Sequence, residues 1–241
     1  MSVLDSLNIP TLSKQRIPVK TLIEQLQPTP ENRRLIEKHV GSIHLVSLLN
    51  QQTIHFRPYK DEDYSYQAIY VLKVVLKKPD QLTDVSIQLH SAFPEPTLLL
   101  YEYGEKEWIS VAPKHINKLD KTKTVLDDIV VELITDDTLQ YINLSHLSAI
   151  DLKNYYLQIV ILVYKISVYN VVHVFPQQDL DYKSVIKQYQ QINTNINNLE
   201  EKYKKASMKS EQMDIDDQIY DEEMKKKELI NRIRSVSGGT K

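Results

Sequence analysis

Seven apolar residues toward the C-terminus, Val185, Tyr189, Ile192, Ile196, Leu199, Tyr203 and Ala206, follow one another in steps of 4, 3, 4, 3, 4 and 3. That rhythm lays one narrow stripe along one side of an α-helix. Lys, Gln, Asn and Glu fill most positions between, as suits a face left in water. A stripe this narrow is buried only against a partner helix, and read alone it predicts a dimerising coiled coil. The rhythm loses phase over residues 207–217 and returns weakly with Ile219, Ile230 and Ile233. Two helices folded back on each other fit that break better than one rod. Tyr189 and Tyr203 in place of leucine also argue against a strong parallel dimer. The expectation is an antiparallel coiled-coil helical hairpin over residues 181–235 and a disordered tail over residues 236–241.

Upstream the pattern changes. Residues 1–27 read as an N-terminal arm, irregular apart from a short helix near 19–27. Thr29-Pro30-Glu31 reads as a helix start, with a hydroxyl N-cap, proline in the first turn and an acid facing the dipole. That helix is expected to reach about Val40 and stop at Gly41. Residues 42–50 and 53–57 are candidate strands, and 58–65 (PYKDEDYS) a charged loop. Residues 68–78 (AIYVLKVVLKK) form the clearest strand, rich in β-branched side chains. Pro79-Asp80 opens a helix to about Phe93. Strands at 97–103 and 107–112 flank a turn at Gly104. A polar loop is expected over 114–128 and a strand over 129–134. Residues 145–169 read as one long apolar helix. These elements predict an α/β (α+β) body over residues 28–180, a mixed sheet with flanking helices.

Composition narrows the chemistry. The chain has 241 residues, 41% hydrophobic and 26% charged, with a net charge of −2, so no global field drives it onto nucleic acid. The absence of cysteine removes thiol catalysis and cysteine-ligated zinc. Four glycines, two of them in the tail, cannot build a phosphate cradle. The seven histidines are scattered, and none shows the HExxH spacing. No G-x-S-x-G elbow occurs. Residues 1–10 lack a basic segment followed by an apolar run, and the apolar stretch 157–172 is interrupted by Gln158, Lys165 and Asn170. Both features predict a cytoplasmic protein without a membrane span. No cofactor, metal or catalytic residue is assigned.

Two clusters bear on metal binding. Asp214, Asp216, Asp217 and Asp221 lack the glycine of a calcium loop and read as a solvated turn between helices. A magnesium nuclease of the Asp…(Asp/Glu)-x-Lys type needs an acid two residues before a lysine on a core strand. Lys73 and Lys77 have Val71 and Val75 there. A degenerate nuclease stays an alternative only if its carboxylates come from Asp61, Glu62, Asp63 or Asp84. The most suggestive polar stretch is residues 114–123 (KHINKLDKTK), with four lysines and one acid. Lys114, Asn117, Lys118, Lys121 and Lys123 are therefore candidate contacts to phosphate or to an acidic partner, joined by Lys14, Arg16 and Lys20 from the arm.

At these two basic segments the chain resembles a bacterial family, the domain of unknown function numbered 4391. Residues 12–20 (LSKQRIPVK) resemble its N-terminal NK-x-I-P-K signature, and residues 114–123 its K-R-I-N-x-x-D-x-x-K loop. The strand at 68–78, the Phe93-Pro94 turn and the paired-helix tail are similar too. Ser13 departs from the usual asparagine, and Ser65-Tyr66-Gln67-Ala68 from the usual acids entering the core strand. The resemblance implies no chemistry. It implies a context, genes beside helicases and DNA methyltransferases of restriction or phage-defence type. The reading is a non-catalytic accessory subunit of such a complex, with a helicase or DNA methyltransferase as partner and DNA as a further ligand. A purely structural homodimer is the other alternative.

Overall fold

Ser2 caps the first turn of the chain, its hydroxyl accepting the Asp5 N–H while the Asp5 carboxylate accepts from the Ser2 N–H. The computed structural model describes residues 2–13, 15–177 and 180–237. Two compact units divide the chain, Met1–Val163 and Tyr164–Lys241. The last four positions of the expected tail lie outside the described residues.

In the first unit α1 (Val3–Ser6), β1 (Gln15–Ile17) and α2 (Val19–Leu26) occupy the stretch expected to be mostly irregular. Val3 and Leu7 are buried, and β1 pairs antiparallel with β2 (Val40–Leu49). Thr29 caps α3 (Pro30–His39) as expected, accepting the Asn32 N–H at 3.3 Å. Gly41 does not stop that helix. It sits inside β2, where an added Cβ would lie 3.1 Å from the Val75 carbonyl oxygen. The helix ends instead because Lys77 satisfies its last carbonyls, with N–H to His39 O at 2.7 Å and Nζ to Glu37 O at 2.8 Å.

The strand expected at 53–57 is absent. Asn50 accepts the N–H groups of Gln52 and Thr53 and starts a helical turn instead, α4 (Gln51–Ile54). A small ribbon, β3 (Tyr59–Lys60) with β4 (Ser65–Tyr66), follows. Next come β5 (Ile69–Leu76), α5 (Leu82–Ser91), β6 (Thr97–Tyr103) and β7 (Lys106–Val111), with Gly104 at φ +60° in the turn. The expected polar loop is a second ribbon, β8 (Lys114–Ile116) with β9 (Thr124–Leu126), before β10 (Val130–Ile134). The strands assemble in the order β1-β2-β5-β6-β7-β10. Only β5 and β6 run parallel, with α5 as their crossover. The mixed sheet and flanking helices bear out the α/β (α+β) reading.

One sheet face packs Leu72, Val74, Leu99 and Tyr101 against Leu22 and Ile23 of α2, Ile36 of α3 and Val85 and Leu89 of α5. On the other face Val71, Leu98, Val111 and Val130 form a cross-strand row, each at most 6% exposed. Beyond α6 (Asp136–Leu139), the long apolar helix α7 (Leu152–Val172) begins seven residues later than expected, because Asp151 caps it through the Asn154 N–H at 2.8 Å. Tyr156 of α7 reaches the sheet. Its hydroxyl donates to Thr97 O at 2.7 Å and accepts the Ala112 N–H at 3.0 Å. By length and composition α7 is apolar enough to cross a membrane, but 56% of that window is buried inside the fold.

The second unit holds the end of α7, then α8 (Tyr182–Lys205) and α9 (Lys209–Ser237). Asp181 caps α8 through the Ser184 N–H at 3.0 Å. Residues 206–208 turn the chain, so the break is three residues rather than the wider interruption read from the phase loss. Asn195 donates to Glu222 at 3.2 Å and Arg232 to Gln188 at 3.1 Å, which sets the two helices antiparallel. The expected helical hairpin is present.

Candidate functional site

The two loops that stood out in the sequence meet. The β3–β4 ribbon, the turn at residues 94–95 and the β8–β9 ribbon enclose a cleft of about 370 Å³, lined among others by Lys60, Asp61, Glu62, Glu95, Lys121 and Lys123. The Ile116 N–H donates to Asp63 O at 2.7 Å and stitches the ribbons together. Three cations and three carboxylates therefore share one concave surface.

Asp61 is engaged in holding its own loop. It accepts from the Tyr59 hydroxyl at 2.6 Å and from the N–H groups of Asp63 and Tyr64 at 2.9 and 2.6 Å. The Tyr59 hydrogen bond, more than any other contact, holds its carboxyl below the usual range. The Lys153 ammonium lies 4.5 Å from the Tyr59 ring centre and 3.5 Å from that of Tyr64, which packs the loop onto α7.

Lys114 corrects the sequence reading. It was a candidate surface contact, but it is 3% exposed. Its ammonium donates to His90 O and Phe93 O at 2.6 Å and to Glu95 O at 2.8 Å. Three N–H donors thus meet three carbonyls, and none is left for a partner. Burial pushes the ammonium down to about 7, against the pull of the Glu95 carboxylate. Below it, His90 is fully buried, with Nε2 2.9 Å from the Ser110 hydroxyl and Nδ1 against the Thr97 hydroxyl. Burial holds His90 well below its ordinary value, so the ring is neutral. Tyr101 and Ser86 close a similar buried pair at 2.7 Å. These polar groups fasten α5, the 92–96 loop and β6 to β8.

Of the remaining candidates, Asn117 uses its side-chain oxygen to accept the N–H groups of Leu119 and Asp120, shaping the ribbon's tip. Lys118, Lys121 and Lys123 are exposed there, with Lys123 paired to Asp120 at 3.1 Å. Arg16 and Lys20 are exposed elsewhere. Arg16 sits on edge strand β1, in a cross-strand row with His44 and Lys73, and neither residue lines the cleft. Lys14 lies outside the described residues. Asp84 lines a separate groove between α3 and α5, so the carboxylates named for a nuclease do not converge. Among the described residues no group of three His, Asp or Glu side chains could hold a metal ion.

In the second unit Ile192 and Ile196 are buried, and Val185, Tyr189, Leu199, Tyr203 and Ala206 are half-buried. Their counterpart on α9 is Ile215, Ile219, Glu222, Lys226, Leu229 and Ile233, again in steps of 4 and 3. Sequence reading took Ile230 for a seam residue and missed four of these. Counting forward from Ile215 recovers them, once charged residues are admitted to the seam. Glu222 meets Asn195, and the Lys226 ammonium lies 5.4 Å from the Tyr189 ring centre. Lys225, first, and then Asn195 hold the Glu222 carboxyl below its usual range.

The class defined by these features is an α+β body with a six-stranded mixed sheet, continued by a helical hairpin. The chain belongs to the family described as Domain of unknown function (DUF4391), whose model matches residues 7–227. No curated protein matches the chain significantly, and no solved structure does.

Proposed function

We propose that this protein is a non-catalytic accessory subunit of a bacterial phage-defence or restriction-modification-like complex, binding a helicase or DNA methyltransferase partner. The α8–α9 hairpin carries the reading. Its helices run 24 and 29 residues and bury one seam, while Met208, Met213 and Tyr220 stand 67%, 63% and 65% exposed. Large apolar side chains left in water on one hairpin suit a surface that docks a partner. The family's gene context, implied by the resemblance of the two basic segments, supplies the class of partner. In the body, the engagement of Lys114, His90 and Asp61 in internal hydrogen bonds supports a structural role for those groups.

Co-purification of the tagged full-length protein from its native operon tests this. A helicase or methyltransferase recovered with the wild type and lost with Ile192→Asp/Leu229→Asp, which breaks the hairpin seam, is the expected result. Recovery of neither partner sinks the reading. DNA contact is assigned to Lys118, Lys121 and Lys123. Replacing all three by Glu should abolish a gel shift seen at low salt, and an unchanged shift removes DNA from the proposal.

A further inference from the structure

We infer that the outer face of α9 docks a basic amphipathic helix of a partner protein; this rests on the accessory-subunit reading and names the chemistry of its partner. The inner stripe of α9, from Ile215 to Ile233, faces α8. On the opposite side Met213, Tyr220 and Met224 are 63%, 65% and 38% exposed. With Asp217 between the first two, they form a second row in steps of 4, 3 and 4, the spacing that meshes with another helix. Met208, Met213 and Met224 are all the methionines after the first residue, and all three are exposed on this hairpin. Methionine suits a docking surface because its unbranched side chain adapts to what it meets.

The charge around the row selects the occupant. Asp214, Asp216, Asp221 and Glu223 flank it and Asp217 stands in it, all exposed, and none closes an ion pair among the described residues. The helix dipole does not account for them, since its influence fades within the first turn and these acids extend to the fourth. Asp214 with Asp217, and Asp217 with Asp221, are like-charged pairs at helical spacing and weaken the isolated helix. A helix carrying apolar side chains at the same spacing, with Lys or Arg on its flanks, covers the stripe and neutralises the acids together. A second copy laid antiparallel with Met213 on Met224 does not, because that register sets Asp216 against Asp221 and Asp214 against Glu223.

The test uses the full-length protein and a labelled synthetic helix with leucines in steps of 4 and 3 and lysines on both flanks, read by fluorescence anisotropy. Binding is expected to weaken at least tenfold in Met213→Ser/Tyr220→Ser/Met224→Ser and in Asp216→Lys/Asp217→Lys/Asp221→Lys, with the far-UV circular dichroism unchanged. A peptide with glutamate in place of lysine should not bind, and one with its leucines dispersed should bind at least tenfold more weakly. Equal binding by the variants or by the dispersed peptide overturns the site. So does a wild-type dimer in sedimentation that Tyr220→Ser dissolves, which makes a second copy the occupant. In the operon co-purification, a partner retained by the triple serine variant sinks this site and leaves the accessory reading standing. Recovery of no partner by the wild type sinks both.

Discussion

Lys114→Met isolates the contribution of one buried charge. The substitution keeps most of the stem and removes the ammonium, so His90 O, Phe93 O and Glu95 O lose their donor. A buried acceptor without a partner costs about 1–3 kcal/mol. His90 is fully buried, while Phe93 and Glu95 are half-buried and regain part of their loss from water. The three together come to about 4 kcal/mol. Against this stands relief from burying a charge. Lys114 falls from 10.5 in the unfolded chain to about 7 in the fold. At about 1.4 kcal/mol per pH unit, the wild type carries a penalty of about 4–5 kcal/mol wherever both states are protonated.

The two effects nearly cancel at pH 6, where wild type and variant should be about equally stable. Above pH 7 the folded state sheds the Lys114 proton and the unfolded state keeps it, so the unfolded state binds more protons and wild-type stability rises with pH. The window closes near 10.5, where the unfolded chain also loses its proton. Between pH 6 and pH 9 the wild type should gain about 2–3 kcal/mol on the variant. Groups common to both proteins cancel in that difference. Urea unfolding followed by the fluorescence of Trp108, the single tryptophan, reads the first unit directly. A difference independent of pH, or a variant already several kcal/mol weaker at pH 6, would falsify the reasoning, because the carbonyls would then be holding the ammonium at its ordinary proton affinity.

Tyr156→Phe removes the hydroxyl bridging Thr97 O and the Ala112 N–H, and should cost about 1–3 kcal/mol in the same urea assay; no loss would mean that water replaces it. Gly41→Ala sets a methyl group 3.1 Å from the Val75 carbonyl oxygen, so β5 must give by a few tenths of an ångström. A loss of about 1 kcal/mol in the same assay would show β5 held in place, and unchanged stability would show that it yields. Leu229→Ala opens a cavity in the hairpin seam, where Leu229 is 5% exposed, and should cost about 2–4 kcal/mol, read as a lower melting temperature of the helical signal at 222 nm.

Much of the body was legible because single residues forced local choices. The β-branched run of β5, the Thr29 cap with Pro30 and the Gly104 turn each have one structural outcome. What failed did so for reasons of comparable size. Residues 53–57 carry strand formers, but the Asn50 cap and its two N–H bonds prevail over β-propensity in a short segment. The β8–β9 ribbon was hidden because each strand has three residues, too few for an alternation to show. Lys114 was read outward because its charge suits water. The sequence alone does not reveal that three carbonyls from α5 and the following loop converge where its ammonium arrives. Gly41 was read as a stop because that is glycine's usual role after a helix; the close approach of β5 is a tertiary fact.

α9 is the element in which the sequence pattern and the fold diverge most usefully. Its inner seam admits Glu222 and Lys226, and its outer face shows Met213, Tyr220 and Met224 to water. A hairpin selected for stability alone would exchange these positions, since charges in a seam cost stability and exposed apolar side chains contribute none. Seam charges have a use in fixing register, and the Asn195–Glu222 and Lys226–Tyr189 contacts align α8 with α9. A fixed register in turn holds the outer row in one orientation along the hairpin. The polar seam and the apolar outer face are thus two parts of one arrangement, in which hairpin stability is given up for a defined surface. On the proposed reading, both stripes of α9 serve helix–helix association, the inner one with α8 and the outer one with the partner.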